Sequence, residues 1–161
     1  MNKANQEFEI FGRIIPEFSG GMWTYTEEIY EDPYVKRYPD DTSDYTEYID
    51  DPEKAVFLAY DEKECVGQIV LRKDWNGYAF IEDICVAAAA RKNGIGTALM
   101  QKAEEWAKDI GLKGLALETQ DNNLAACRFY AKYGFVIGAV DTMLYRNSGD
   151  REYAVFWYLI F

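Results

Sequence analysis

The stretch Ile81-Glu82-Asp83-Ile84-Cys85-Val86-Ala87-Ala88-Ala89-Ala90-Arg91-Lys92-Asn93-Gly94-Ile95-Gly96-Thr97 decides how this chain is read. Residues 78–86 read as a long strand, entered from a turn at Asn76-Gly77. After the two glycines the period changes. Leu99, Lys102-Ala103, Trp106 and Ile110 recur at one face of a helix, which Gly111 closes. A strand, a short loop and a glycine-opened helix leave uncapped amides and the positive dipole end at residues 91–97. Gly94 and Gly96 let an anion approach the backbone, and Arg91 and Lys92 add charge that suits a diphosphate. The loop is not a Walker A sequence, because no Gly-Lys-Ser/Thr follows. It is not a dinucleotide fingerprint either, because Leu99 stands in place of the third glycine.

Outward from this stretch the chain alternates element types. Residues 114–119 read as a short strand, which predicts a parallel βαβ unit. Asp121-Asn122-Asn123 supplies cap chemistry for a second helix ending at Tyr133, with Gly134 in the left-handed cap position. Residues 135–144 and 153–161 read as closing strands. On the N-terminal side, residues 8–15 read as a strand ended by Pro16, residues 23–31 as a helix and residues 44–50 as a second short helix. Residues 55–60 and 65–72 flank the polar turn Asp61-Glu62-Lys63-Glu64 as a hairpin. The order predicts an α/β fold with one domain over residues 1–161.

Composition removes whole classes of chemistry. The 161 residues include no histidine, which excludes Ser-His-Asp and Cys-His catalysis and histidine metal sites. The general base must then be a carboxylate or a water relayed by one. Cys65, Cys85 and Cys127 are far apart and form no CxxC pair, so they read as reduced thiols of a cytoplasmic protein. The polar N-terminus does not read as a signal peptide, and the longest apolar run, eight residues, is far below the roughly 20 a membrane helix needs. Net charge is −11, which argues against nucleic acid and anionic membrane as partners. The whole excess lies in the first 65 residues, with 17 acids against 6 bases; between Glu27 and Glu53, 11 acids face only Lys36 and Arg37. Tyr30, Tyr34, Tyr38, Tyr45 and Tyr48 are interleaved with them and Tyr25 lies just ahead, so this segment reads either as a solvated face or as a funnel for a cationic amine.

The Arg-x-x-Gly-x-Gly pattern of residues 91–96 resembles the acetyl-CoA diphosphate loop of the GNAT superfamily of N-acetyltransferases. A second element follows in the right order: Asn123-Leu124-Ala125-Ala126, then Phe129-Tyr130 and Gly134-Phe135, similar to the family's Asn-x-x-Ala…Phe-Tyr-x-x-x-Gly-Phe. Further segments resemble streptothricin (nourseothricin) acetyltransferases across nearly the whole chain. They are Gly12-Arg13-Ile14-Ile15-Pro16, Leu71-Arg72-Lys73-Asp74-Trp75-Asn76, Leu117-Glu118-Thr119-Gln120-Asp121-Asn122-Asn123, Val140-Asp141-Thr142-Met143-Leu144-Tyr145 and Ala154-Val155-Phe156-Trp157-Tyr158. The loop departs from the usual form at Lys92, where glycine is common, and at Ala87-Ala88-Ala89-Ala90.

The resemblance implies a mostly antiparallel sheet, flanked by helices and splayed between its fourth and fifth strands. It implies acetyl-CoA as cosubstrate, no metal, and direct attack in a ternary complex on the thioester by the β-lysine amine of streptothricin, giving antibiotic resistance. It places the cosubstrate on Ile84, Cys85 and Val86, on Arg91, Lys92, Asn93, Gly94, Ile95, Gly96 and Thr97, and on Asn123 and Tyr130. Tyr130 matches the general acid. Glu82 matches the carboxylate near the amine, with Asp83 and a water relay as alternatives. Consecutive strand residues face opposite ways, so only one of Glu82 and Asp83 faces a cleft unless a bulge intervenes. A polycationic acceptor gives the acidic segment a purpose and brings the funnel reading forward. A GNAT enzyme for another polyamine or a protein lysine, and a non-enzymatic acyl-CoA-binding module, are the competing readings; a homodimer is compatible with the sequence.

Overall fold

The computed structural model describes residues 3–40, 44–148 and 151–161. The elements are β1 (Phe8–Ser19), β2 (Met22–Lys36), a 3-10 turn (Tyr45–Tyr48), β3 (Lys54–Asp61), β4 (Glu64–Lys73), β5 (Ala79–Val86), a second 3-10 turn (Ala88–Ala90), α1 (Ile95–Asp109), β6 (Gly114–Gln120), α2 (Leu124–Tyr133), β7 (Val136–Asp141) and β8 (Ala154–Ile160). Strand order is β1-β2 in a two-stranded sheet and β3-β4-β5-β6-β8-β7 in a six-stranded one. The α/β class and the helices around residues 95–109 and 124–133 are as the sequence predicts. By internal contact the chain divides into two compact units: Arg37–Leu115 with Met1–Phe8 and Phe161, and Glu9–Lys36 with Ala116–Ile160.

In the first unit, β3, β4 and β5 form an antiparallel meander. Ile69, Val70 and Leu71 of β4 are consecutive and all buried, the pattern of a strand covered on both faces. One cover is α1, whose buried residues are Leu99, Met100, Ala103 and Ala107. Gly67 of β4 allows the helix to come close, since a Cβ there would lie 3.0 Å from Ile95 Cγ2 and 3.2 Å from Leu99 Cδ1. The stripe is rotated from the one the sequence predicts, because Ile110 is exposed and Trp106 is half-buried.

In the second unit the structure corrects one element. Residues 23–31 are not a helix but the middle of β2. Trp23, Thr24, Tyr25, Thr26, Ile29 and Tyr30 are β-branched or aromatic, and they favour a pleated surface over a helix. Strand β1 likewise runs through Pro16 to Ser19, which the missing N–H permits at a strand edge. The reversal is Gly20-Gly21, both at positive φ (60° and 80°), a two-residue turn that only glycine adopts without strain. Residues 135–144 shorten to Val136–Asp141, and residues 142–148 turn away.

Buried polar groups lock this unit. Of the predicted cap trio only Asn123 caps α2, accepting from the Ala126 N–H at 3.2 Å. Asp121 is fully buried; it pairs with Arg13 and accepts from the Tyr153 N–H at 2.9 Å. Its carbonyl accepts from the Ile14 N–H at 2.9 Å. Between Ile10 and Ile14 on the inner face of β1 sits Gly12, where a Cβ would lie 2.5 Å from the Glu28 carbonyl oxygen and 2.8 Å from Leu124 Cδ2. Backbone cannot yield as a side chain does. Gly12→Ala is therefore expected to destabilise the protein by about 1–3 kcal/mol, read as a lowered denaturation midpoint in urea. An unchanged midpoint would show that the strand pair has room to spare.

Candidate active site

The first unit carries the loop and both candidate carboxylates. Helix α1 begins after Gly94, which sits in the left-handed region at φ 83° and offers no side-chain cap. The Ala98 N–H donates to the Gly94 carbonyl at 2.9 Å, so the amides of Ile95, Gly96 and Thr97 precede the helical ladder. Arg91 anchors the approach by donating Nε–H to the Val86 carbonyl at 2.9 Å. Residues 91–94 are exposed. Lys92 has φ 65°, which explains the family's preference for glycine there: a side chain in this region costs roughly 1 kcal/mol. An uncapped helix start beside two cations, with no side chain on Gly94, is what a diphosphate requires.

Strand β5 settles how two consecutive carboxylates are displayed. Its register against β4 passes from Asp83↔Val70 to Ile81↔Leu71, so Glu82 is an extra residue, a bulge. This is the exception the sequence reading allowed for, and simple alternation does not hold at these two positions. Glu82 accepts from the Tyr48 hydroxyl at 2.5 Å and from Arg72 Nε at 3.1 Å. The burial of Tyr48 and its bond to Glu82 hold that phenol well above its ordinary pKa. Asp83 accepts from Nε2 of the buried Gln68 at 2.6 Å. Tyr48, Arg72 and Gln68 were missed in the sequence. Tyr48 belongs to the acidic-aromatic segment and Arg72 to a family-like segment, but nothing local marks either as a partner of Glu82. Because β2 replaces a predicted helix, β5 is the fifth strand of this chain.

Ile84, Cys85 and Val86 pair with Ile69, Gln68 and Gly67. Burial and the neighbouring Asp83 push the Cys85 thiol up to about 12, and burial with Asp121 does the same to Cys127. A raised thiol pKa means a neutral sulfur at working pH, with a thiolate fraction on the order of 10⁻⁴ at pH 8. Iodoacetamide at pH 8 should leave both residues unlabelled in the folded protein while free cysteine reacts to completion. Fast labelling of Cys85 would reopen a covalent route.

The second unit holds Tyr130 and Asn123. Tyr130 is 7% exposed, and its ring lies against Phe129, Phe135 and Trp157 at 5.6, 5.8 and 6.2 Å between centroids. The acids at 27–53 are divided between the units. Glu27, Asp40, Glu47 and Glu53 pair with Arg128, Arg37, Lys54 and Lys73. Glu31, Asp32 and Asp50 are exposed, and Asp41 lies outside the described residues. Among the described residues no group of acids and cysteines has the arrangement of a metal site, and no helix is long and apolar enough to cross a membrane.

The model of the acetyltransferase (GNAT) family matches residues 23–135. The chain belongs to the GNAT family. Members transfer the acetyl group of acetyl-CoA, and the chain is an acyltransferase with acetyl-CoA as cosubstrate. Among its relatives is streptothricin acetyltransferase A of Bacillus subtilis (strain 168), 56% identical over 161 residues, covering 99% of this chain and 92% of the relative. A Bacillus anthracis protein assigned as a streptothricin acetyltransferase, crystallised with acetyl coenzyme A, superposes with a TM-score of 0.92 at 39% identity, covering 99% of this chain and 91% of that one. The structure of a nourseothricin acetyltransferase gives a TM-score of 0.82 at 30% identity, with 98% and 89% covered.

Proposed function

We propose that this GNAT enzyme acetylates the β-lysine amine of streptothricin antibiotics and so confers resistance to them. The observation that carries the reading is the likeness, over almost the full length of both chains, to streptothricin acetyltransferase A. We further propose that residues 1–161 work as one domain, since the matched family region runs through both compact units and β6 has residues in each. Acetyl-CoA and a cationic amine are then the partners of a cytoplasmic enzyme.

Roles follow from chemistry. The amides of residues 94–97, with Arg91 and Lys92, bind the diphosphate, and Asn123 adds a polar contact beside its capping bond. Backbone N–H groups of residues 84–86 pair with the pantetheine arm and polarise the thioester carbonyl. Glu82, directly or through a water, takes the proton of the acceptor ammonium; Asp83 is the alternative. The neutral amine then forms the C–N bond as the C–S bond breaks. Tyr130 gives its phenolic proton to the departing sulfur, and the proton that the acylated nitrogen sheds passes through solvent to the phenolate, so amine and acetyl-CoA leave as amide and free CoA. No cysteine is acylated, in keeping with the neutral thiol of Cys85.

Incubation with acetyl-CoA and streptothricin should add one acetyl group to the antibiotic, visible by mass spectrometry. Tyr130→Phe should lower kcat by about 10²-fold with little change in acetyl-CoA affinity, because it removes a proton donor and almost no volume. Wild-type turnover in that variant would reduce Tyr130 to a packing residue. Glu82→Gln should lower kcat and raise the acceptor KM together, whereas an effect confined to KM would leave Glu82 an anchor only.

A further inference from the structure

The second unit contains a group of buried polar residues for which the roles above have no use. Asn122 is 6% exposed and Glu152 5%. Asn122 donates through Nδ2 to Glu152 Oε1 at 2.9 Å and to the Tyr34 hydroxyl at 3.1 Å. The amide orientation is fixed by this, since the reverse would set its oxygen against a carboxylate. Lys36 pairs with Glu152. Glu118 accepts from the Tyr145 hydroxyl through Oε2 at 2.7 Å, and Glu152 acts on it through space. Among the described residues two acceptors find no donor, Glu118 Oε1 and Asn122 Oδ1, both shielded from solvent.

Among the described residues the two carboxylates of the group, Glu118 and Glu152, meet one cation, Lys36, which leaves one negative charge uncompensated within it. The two buried acceptors also carry the desolvation penalty of unmade hydrogen bonds. A primary ammonium brings one positive charge and three N–H donors. A neutral water would answer the acceptors but not the charge. Burial and Glu152 raise the Glu118 pKa against the lowering effect of Tyr145, the direction a bound cation would reverse. Tyr145 comes from the exposed turn at 142–148, so the carboxylate lies one side chain below the surface.

We propose that Glu118 and Asn122, backed by Glu152, seat an ammonium group of the acceptor other than the one that is acetylated. An ammonium held among buried acceptors has no water to take its proton, unlike one beside the exposed Glu82, and a protonated amine cannot attack a thioester. The seat therefore positions the acceptor by a second amine while a free one reacts, and it selects for acceptors carrying at least two. This rests on the streptothricin reading for the identity of the acceptor but not for the existence of the seat.

Two probes separate those claims: streptothricin in steady-state kinetics, and pentane-1,5-diamine in thermal unfolding of the protein without acetyl-CoA. Glu118→Gln keeps the shape and removes the charge. It should raise the streptothricin KM about tenfold or more, the scale of one charged hydrogen bond, with kcat and the acetyl-CoA KM nearly unchanged. Glu118→Asp, which retains the charge and withdraws it by one methylene, should raise KM less. It also serves as the test if the glutamine variant does not fold. The diamine should raise the unfolding temperature of the wild type and not of Glu118→Gln, whereas butylamine at the same concentration should do less in the wild type. If streptothricin is not acetylated while the Glu118-dependent diamine effect persists, the acceptor is another polyamine and the seat stands. If KM and the diamine effect are the same in wild type and both variants, the seat is wrong and the two acceptors hold only water.

Discussion

The second unit depends on one carboxylate. Asp121 has no solvent contact, and a charge taken wholly out of water is tolerated only when paired and bonded. It meets that requirement with groups from distant parts of the chain, the Arg13 guanidinium from β1 and the Tyr153 N–H from the approach to β8. Its own backbone bonds Ile14 and Tyr153 as well. One residue at the end of β6 thereby fixes where the first strand and the last segment lie. Its neighbours Asn122 and Asn123 are left to point elsewhere, one into the buried polar group and the other onto the start of α2. The loss of either Asp121 partner would strand a buried charge, so the positions of β1 and β8 are coupled through it.

Much of the fold was legible because the informative signals are short-range. Gly94, Gly111 and Gly134 all have positive φ, as their places at helix ends require, and the 3.6-residue period marks both helices. The loop at 91–97 was legible for the same reason. Failures occurred where a local pattern had two solutions. Residues 23–31 carry acids at helix-compatible spacing, but their aromatic and β-branched content, with Gly20-Gly21 ahead, belongs to a hairpin. Thr24 and Thr26 offer local cap chemistry for a helix and Gly20-Gly21 offers a tight turn, and the chain uses the turn.

At the site, residue type was legible but display was not. Glu82 and Asp83 stand out in any reading as carboxylates on a strand before an anion loop. Which one faces where depends on the bulge opposite Val70 and Leu71, and nothing in residues 79–86 announces it. Partners are harder still. Tyr48 lies 34 residues from Glu82, and Gln68 lies 15 from Asp83. Such pairings are set by strand register, which a single sequence does not print. The acidic segment was legible as a charge excess, yet Glu27, Asp40, Glu47 and Glu53 each find a base.

The β1-β2 ribbon has a consequence for how copies of this protein behave in concentrated solution. A two-stranded sheet leaves each strand one edge that the other does not pair, and a long unpaired edge is a template for the next molecule to extend. Strand β2 is 15 residues long and presents exposed Ile29, Tyr34 and Val35 along it. It also carries Glu27, Glu28, Glu31 and Asp32 followed by Pro33. Like charges repel an incoming copy, and proline withholds the N–H that an added strand would need. The same acids that read as bait for a cation thus disfavour the addition of a further strand along this edge.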